Sequence, residues 1–233
     1  MKRVERSSPN QDARGTGVDM LVLHYTGMAS AEAALARLCD PAARVSAHYT
    51  IDEDGTVYAM VPETRRAWHA GVSFWAGARD INARSIGIEL VNPGHELGYR
   101  PFGEPQIAAL ITLCQGILAR HPIPPWQILG HSDVAPARKD DPGELFPWAR
   151  LAASGIGLWP VRGDDPGEAA VSGLLARYGY DPEAPLEKAV TAFQRHFRPS
   201  RVDGMADGET RAVLSGLIAL YDAGKGAEEG KNA

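Results

Sequence analysis

The residues best suited to chemistry lie in one short segment, residues 129–143, which brings together a histidine, a lysine and several carboxylates. Ile128 and Leu129 lead into it as the end of a buried strand. Its prolines and its final glycine prevent a regular helix or a central strand. We therefore expect a polar loop that is held to a core at its start. Loops on rigid scaffolds often carry function, so this loop is the first candidate for a site.

Two more reactive side chains lie in predicted strands. The apolar run 18–26 carries His24 near its end, and the apolar run 85–91 carries Glu89 within it. A carboxylate inside a buried strand costs several kcal/mol unless it is paired or lies near a cation. Together with the loop, these strands present five candidate groups: His24, Glu89, His131, Lys139 and Asp141.

Two histidines and a carboxylate form a common catalytic zinc site, in which water takes the fourth position. Zinc lowers the pKa of such a water towards ~7. A glutamate can accept its proton, and a lysine can stabilise the oxyanion that follows. The set is therefore typical of metal-assisted amide hydrolysis, although a scattered set of this kind also occurs by chance. Asp133 and Asp140 are rival carboxylates to Asp141.

Composition excludes several classes of protein. The 233 residues are 44% hydrophobic and 23% charged, which is ordinary for a globular protein. The net charge of −5 argues against nucleic-acid binding. No apolar run approaches the ~18 residues of a membrane span, and the first twenty residues do not resemble a secretion signal. The two cysteines, Cys39 and Cys114, lie in apolar helical patterns and are interpreted as buried free thiols.

The order of predicted elements indicates an α/β domain with a mixed central sheet flanked by helices. Ser30 can cap a helix over 31–39, and residues 105–120 have the apolar spacing of a long helix. The runs 45–51 and 56–61 predict a hairpin that turns at Gly55.

Five segments divide the chain. We expect a loosely ordered polar N-terminal arm over 1–17, a catalytic domain over 18–160, and a linker over 161–167. Residues 168–220 show three apolar helical faces and predict a small all-α three-helix domain that folds separately. Residues 221–233 form a polar tail.

Five sequence blocks resemble the zinc N-acetylmuramoyl-L-alanine amidases, whose fold is shared with peptidoglycan recognition proteins. The blocks occur in the order of the family: LVLHYT (21–26), SAHYTIDEDGTVY (46–58), AWHAG (67–71), SIGIELVN (85–92) and GHSDVAPARKDDPG (130–143). The resemblance implies that His24, His131 and Asp141 bind zinc. The family's catalytic glutamate and lysine fall on Glu89 and Lys139. Asp141 is preferred over Asp140 because it precedes Pro142, as the motif requires.

The resemblance also implies roles for the block around AWHAG. Trp68 and His69 would line the substrate groove, and Asn82 would contact the stem peptide, although a packed loop core is an alternative for the first two. His48 is left without an assigned role. His95, His121 and His196 are interpreted as surface residues.

A second resemblance covers the C-terminal unit. The blocks GYDPEAPLEKAVTAFQRHF (179–197) and DGMADGETRAVL (203–214) are similar to three-helix peptidoglycan-binding domains. Together the two resemblances imply an enzyme that cleaves the amide between the lactyl group of N-acetylmuramic acid and L-alanine of the stem peptide. The alternatives are a non-catalytic peptidoglycan receptor on the same fold and an envelope amidase that acts on intact sacculi.

The expected compartment is the cytoplasm, because no secretion signal is apparent, and the expected substrate is a soluble muropeptide from wall recycling, such as an anhydro-muropeptide. A wall-binding module argues for the envelope instead.

Overall fold

The computed structural model describes residues 2–232, with side chains described through residue 230. Eight strands and nine helices lie in this part of the chain, together with three short 3₁₀ turns (Pro41–Ala43, Pro125–Gln127 and Glu168–Ala170). The strands are β1 Arg3–Glu5, β2 Gln11–Ala13, β3 Met20–Tyr25, β4 Tyr49–Ile51, β5 Val57–Ala59, β6 Arg65–Ala67, β7 Ser85–Leu90 and β8 Ile128–Gly130. The helices are α1 Ala31–Cys39, α2 Ile81–Arg84, α3 Gly94–Leu97, α4 Glu104–Arg120, α5 His131–Val134, α6 Trp148–Ala153, α7 Val171–Tyr178, α8 Leu186–Phe197 and α9 Gly208–Asn232.

The central sheet is mixed, as the sequence predicts, with strand order β1-β5-β4-β7-β3-β8. β3 pairs in parallel with both β7 and β8, whereas β4 and β5 form the predicted antiparallel hairpin. Gly55 has a φ of 83° in the turn, a conformation that glycine adopts without strain. The predicted cap of α1 is confirmed, since the Ser30 side chain accepts a hydrogen bond from the amide of Ala33 at 3.2 Å. The predicted long helix over 105–120 is α4, which begins one residue earlier.

Alternation along β3 divides its side chains between two apolar cores. Leu21 and Leu23 pack in a cluster with α4, whereas Met20 and Val22 face the opposite cluster. His24 continues the second series. The sheet therefore places this histidine on the face that lies away from α4.

The C-terminal helices cover that second face. Phe193 of α8 and Leu217 of α9 belong to the same buried cluster as Met20, Trp75 and Trp126. The three helices that the sequence predicts are present. Their apolar faces pack against one another, and the same buried cluster continues into the sheet and its loops.

Both ends of the chain are more regular than the sequence indicates. The polar arm contains β1, which pairs in parallel with β5, and β2, which pairs with β6. The guanidinium of Arg14 is drawn inward and donates to the carbonyls of Glu63, Ala83, Arg65 and Ser85. The expected loose arm is therefore wrong. The polar tail is also helical through residue 232, as part of α9.

Candidate active site

The ends of three neighbouring parallel strands converge at the site. His24 lies in β3 directly beside Glu89 of β7, its register partner. β8 ends at Gly130, so the chain delivers His131 at the same edge of the sheet. The loop then returns and brings Asp141 to both histidines. The carboxyl ends of parallel strands meet at one edge, which is where open α/β sheets place their ligands.

Three donor atoms form a closed triangle. The Nδ1 atoms of His24 and His131 lie 3.0 Å apart, and Oδ2 of Asp141 lies 3.0 and 3.1 Å from them. All three residues are buried. The group can hold a metal ion, and two imidazoles with one carboxylate suit a catalytic zinc with an open position. The rival carboxylates, Asp133 and Asp140, are not part of this triangle.

Hydrogen bonds behind the triangle determine which ring nitrogens carry protons. The Ser85 hydroxyl donates to the carbonyl of Ile81 at 2.7 Å, so its oxygen accepts from Nε2 of His69. Nδ1 of His69 is then an acceptor for the Nε2–H of His24, at 3.0 Å. This assignment leaves the Nδ1 lone pair of His24 facing the triangle.

A single hydrogen bond fixes the same tautomer in His131. Its Nε2–H donates to the carbonyl of Ala70 at 3.0 Å, so its Nδ1 also presents a lone pair. Two lone pairs and a carboxylate oxygen at about 3 Å repel one another unless a cation lies between them. The donor set therefore fits a bound metal ion, and outer partners of this kind orient metal-binding histidines in proteins.

The surroundings keep His24 and Asp141 in the protonation states that metal binding requires. Burial, followed by the nearby His131, lowers the pKa of His24 to about 4. Burial acts in the opposite direction on Asp141, but His131 and His24 outweigh it and lower the pKa of that carboxyl well below its usual range. At neutral pH His24 is therefore uncharged and Asp141 is ionised.

Glu89 differs from Asp141 in its environment. Its Oε2 atom is buried and has no hydrogen-bond partner among the described residues. Burial and then the charge of Asp141 raise the pKa of Glu89 well above its usual range, while Lys139 acts to lower it. Two neighbouring carboxyls with pKa values moved in opposite directions are typical of an acid–base site.

A cavity of about 350 Å³ opens over these groups. Glu89, His131, Lys139 and Asp141 line it, and so do Trp68 and His69. The cavity thus brings both predicted catalytic side chains and two of the three predicted metal-binding residues to one concave surface, as an active site requires. His24, the third, is buried behind that wall and contacts His131 and Asp141.

Asn82 occupies a different position from the other two predicted substrate contacts. It is buried and is not among the residues that line the cavity. Its Oδ1 accepts hydrogen bonds from the amides of His69, at 3.0 Å, and Ala70, at 2.8 Å. Asn82 therefore fixes the backbone that carries His69, whose ring contacts His24.

Sequence reasoning missed two basic residues at the rim. Arg138 lines the cavity and donates to the carbonyls of Ala70 and Val72. His95, which the sequence places on the surface, also lines the cavity and hydrogen-bonds the hydroxyl of Tyr25 at 2.9 Å. Arg138 lies within the loop motif, so proximity in sequence was an available signal. No sequence feature indicates His95.

Comparison with family models agrees with this geometry. The model of the N-acetylmuramoyl-L-alanine amidases matches residues 14–144. A peptidoglycan binding domain model matches residues 170–214. The two matches cover the two regions that the sequence resemblances identify.

One relative resembles the chain over most of its length, and a second resembles about half of it. The N-acetylmuramoyl-L-alanine amidase AmiD of Escherichia coli is 40% identical over 88% of this chain and 83% of its own length. The 1,6-anhydro-N-acetylmuramyl-L-alanine amidase AmpD of Enterobacter cloacae is 42% identical over 47% of this chain and 56% of its own length.

Solved structures show the same architecture. AmiD from E. coli, in complex with the substrate anhydro-N-acetylmuramic acid-L-Ala-D-gamma-Glu-L-Lys, superposes with a TM-score of 0.80 at 39% identity, over 90% of this chain and 93% of that one. AmpDh3 from Pseudomonas aeruginosa, in complex with anhydromuramic pentapeptide, gives 0.81 at 35% identity, over 88% and 92%. With the strand-end triangle, the two carboxyls and these matches in agreement, the chain belongs to the N-acetylmuramoyl-L-alanine amidase family.

Proposed function

We propose that this amidase hydrolyses the bond between the lactyl group of N-acetylmuramic acid and L-alanine in soluble muropeptides, including anhydro-muropeptides. The observation that carries the proposal is the triangle of His24, His131 and Asp141, which lies beside Glu89 and borders one cavity through His131 and Asp141. The related structures of AmiD and AmpDh3 hold anhydromuramic peptides, which supports the substrate class.

We assign zinc to the triangle, with His24 and His131 each binding through Nδ1 and Asp141 through a carboxylate oxygen. A zinc ion there would polarise the scissile carbonyl and lower the pKa of a bound water towards ~7. His69 and the carbonyl of Ala70 keep the two imidazoles in the required tautomers through their outer hydrogen bonds.

Glu89 is the general base in this proposal, and Lys139 stabilises the oxyanion. The free, buried Oε2 of Glu89 can take the proton of the attacking water and return it to the leaving amine. The raised pKa of Glu89 makes that carboxyl ready to hold the proton between the two steps. The ammonium of Lys139 lies on the cavity wall, where it can stabilise the negative charge that develops on the carbonyl oxygen.

Trp68 and His69 contact the substrate from the wall of the cavity, and Asn82 acts indirectly. The half-buried indole of Trp68 is held by a hydrogen bond from its Nε1 to Asp12 at 3.2 Å. Its ring can therefore pack against the sugar or the peptide without losing side-chain entropy on binding. Asn82 preserves this wall through its bonds to the backbone of residues 69 and 70.

Product analysis tests the bond that is cleaved. We expect the purified protein to release the intact stem peptide from an anhydro-muropeptide, as detected by mass spectrometry, because the reactive groups converge on one amide. Cleavage within the peptide would assign another reaction to the site. Failure of the wild-type protein to cleave, with zinc bound, would instead favour a receptor. A parallel reaction with intact sacculi tests the alternative of an envelope amidase. Faster release of stem peptide from sacculi than from the anhydro-muropeptide would contradict a preference for soluble fragments.

We also propose that the protein works in the cytoplasm. Its two cysteines, Cys39 and Cys114, are free thiols, which supports a reducing compartment. Within residues 2–232, no helix has the length and apolar character that crossing a membrane demands. Fractionation of cells that carry the tagged protein tests the proposal. Recovery with the cytosolic marker is expected, and recovery with the envelope alone would contradict it.

A further inference from the structure

A carboxylate without a role in the metal triangle is buried next to it. Asp133 lies two residues after His131 in α5, and only 1% of it is exposed. Its Oδ2 accepts a hydrogen bond from the amide of Gly130 at 2.7 Å. Asp133 therefore connects the residue before His131 to the residue two positions after it, and so fixes the turn that carries this metal-binding histidine.

The remaining partners of Asp133 come from the C-terminal unit. The hydroxyl of Tyr180 donates to Oδ1 at 2.6 Å, and Nδ1 of His196 donates to Oδ2 at 2.7 Å. Both side chains are buried, with 1% and 2% exposed. The ring of His196 is stacked on Trp148 at 3.7 Å, which fixes its orientation. His196, which the sequence places on the surface, is thus part of the interior.

The residue before His196 reaches the other end of the same loop. Nη2 of Arg195 lies 2.8 Å from Oδ1 of Asp140, which directly precedes Asp141. The Asp140 side chain is about half exposed, so this ion pair stabilises the loop less than the buried hydrogen bonds of Asp133 do. Two consecutive residues of α8 thereby contact the loop next to both of its metal-binding residues.

Packing of the C-terminal helices against the sheet does not by itself require these polar contacts to the loop. The interface around it is an apolar cluster, and an apolar pair is usually at least as stable there as a buried carboxylate with its donors. Buried polar networks instead select one arrangement of the groups they join. This network ends on α5 and on Asp140. It therefore selects one conformation of the loop that carries His131 and Asp141, which supply two of the three donor atoms of the triangle.

We propose that the C-terminal helical unit is a positioning element of the metal site, which acts through Tyr180 and His196 on Asp133 and through Arg195 on Asp140. The inference rests on the proposed metal site. It gives the region that matches a peptidoglycan binding domain a role in the chemistry of the other domain. These residues do not touch the substrate. Their effect is on the placement of His131 and Asp141.

Tyr180→Phe is the sharpest test, because it removes one oxygen atom and leaves the ring. Tyr178→Phe is the matched control: its ring lies in the same buried cluster, 6.3 Å from that of Tyr180. Zinc affinity is measured on the full chain by competition with a chromophoric chelator. We expect Tyr180→Phe to bind zinc about tenfold more weakly than the wild type, within the range for outer partners of metal ligands. The control should stay within about twofold of the wild type.

His196 supplies a second pair of variants. His196→Phe keeps a ring to stack on Trp148 but loses the donor to Asp133, whereas the amide of His196→Asn can restore that donor. We expect zinc affinity to fall in His196→Phe and to recover in His196→Asn. On an anhydro-muropeptide, kcat should fall with zinc affinity while KM changes little. If His196→Phe does not fold, the comparison of Tyr180→Phe with Tyr178→Phe tests the positioning role by itself.

The outcomes separate this inference from the proposed function. Equal zinc affinity in Tyr180→Phe and Tyr178→Phe, with a lower melting temperature only, would overturn the positioning role. A wild-type protein that binds zinc but releases no stem peptide would contradict the proposed function, and the comparison of zinc affinities would still decide the inference. A wild-type protein that binds no zinc would contradict both.

Discussion

Glu89→Gln is expected to keep its zinc and its fold but to lose turnover. The amide has nearly the shape of the carboxyl but cannot accept the proton of the attacking water. General base catalysis of this kind contributes ~10²–10⁴-fold in rate, which corresponds to ~3–5 kcal/mol of barrier. Folding should not suffer, because Oε2 of Glu89 has no hydrogen-bond partner to lose among the described residues. An ionised carboxylate also has a larger desolvation cost on burial than a neutral amide of the same shape.

The measurement combines zinc content, melting temperature and stem-peptide release for Glu89→Gln and Glu89→Ala. Glu96→Gln is the control, because it makes the same chemical change at another carboxylate of the cavity wall. Zinc loss in both Glu89 variants would make Glu89 a metal ligand. Near wild-type turnover in both would move the base to another group.

His131→Ala should fail at an earlier step. Its loss leaves two protein donors, His24 and Asp141, which is fewer than catalytic zinc sites use. We expect zinc affinity to fall by more than the ~10–100-fold that outer partners cost, and stem-peptide release to become undetectable. The carbonyl of Ala70 would lose one donor but keep Arg138, so the loop should still fold.

Chelator competition and turnover measure this variant against His121→Ala. His121 follows α4 and contacts Glu63, so its loss removes a histidine without touching the triangle. If His131→Ala bound zinc as tightly as this control does, the triangle would not be the metal site. The contrast with Glu89→Gln is the main expectation, because one variant should lose the metal and the other should lose only the proton acceptor.

The sequence predicts the front of the site because local patterns determine it. The apolar run that ends near His24 and the run that contains Glu89 are predicted as strands and are strands in the structure. Their parallel pairing brings the two strand ends together. A third strand end adds His131. The choice of Asp141 over Asp133 and Asp140 comes from the family resemblance, because local pattern does not distinguish the three carboxylates.

The support behind the site depends on contacts between distant parts of the chain. Local composition assigns Arg14 to a polar arm, yet its guanidinium donates to carbonyls that lie 49 to 71 residues away in the chain. His196 is one polar residue on an amphipathic helix, and its partner Asp133 lies 63 residues earlier. Local polarity indicates exposure, whereas a specific buried partner reverses that expectation.

Local patterns also do not show what the C-terminal helices pack against. Apolar spacing correctly predicts the helices α7, α8 and α9. It does not show what covers their apolar faces, and part of the cover is Trp75, Trp126 and the face of β3. The domain boundaries remain a prediction, while the shared cluster shows that the two units are packed together.

A zinc titration decides whether turnover depends on one metal ion per chain. Chelator-treated protein is titrated with zinc, and the rate of stem-peptide release from an anhydro-muropeptide is recorded in the same samples. We predict no release without zinc, a linear rise in rate, and a plateau at one zinc per chain, because one triangle of donors serves one cavity. Full turnover by protein that elemental analysis shows to be free of zinc would contradict the assignment of the triangle as a catalytic zinc site.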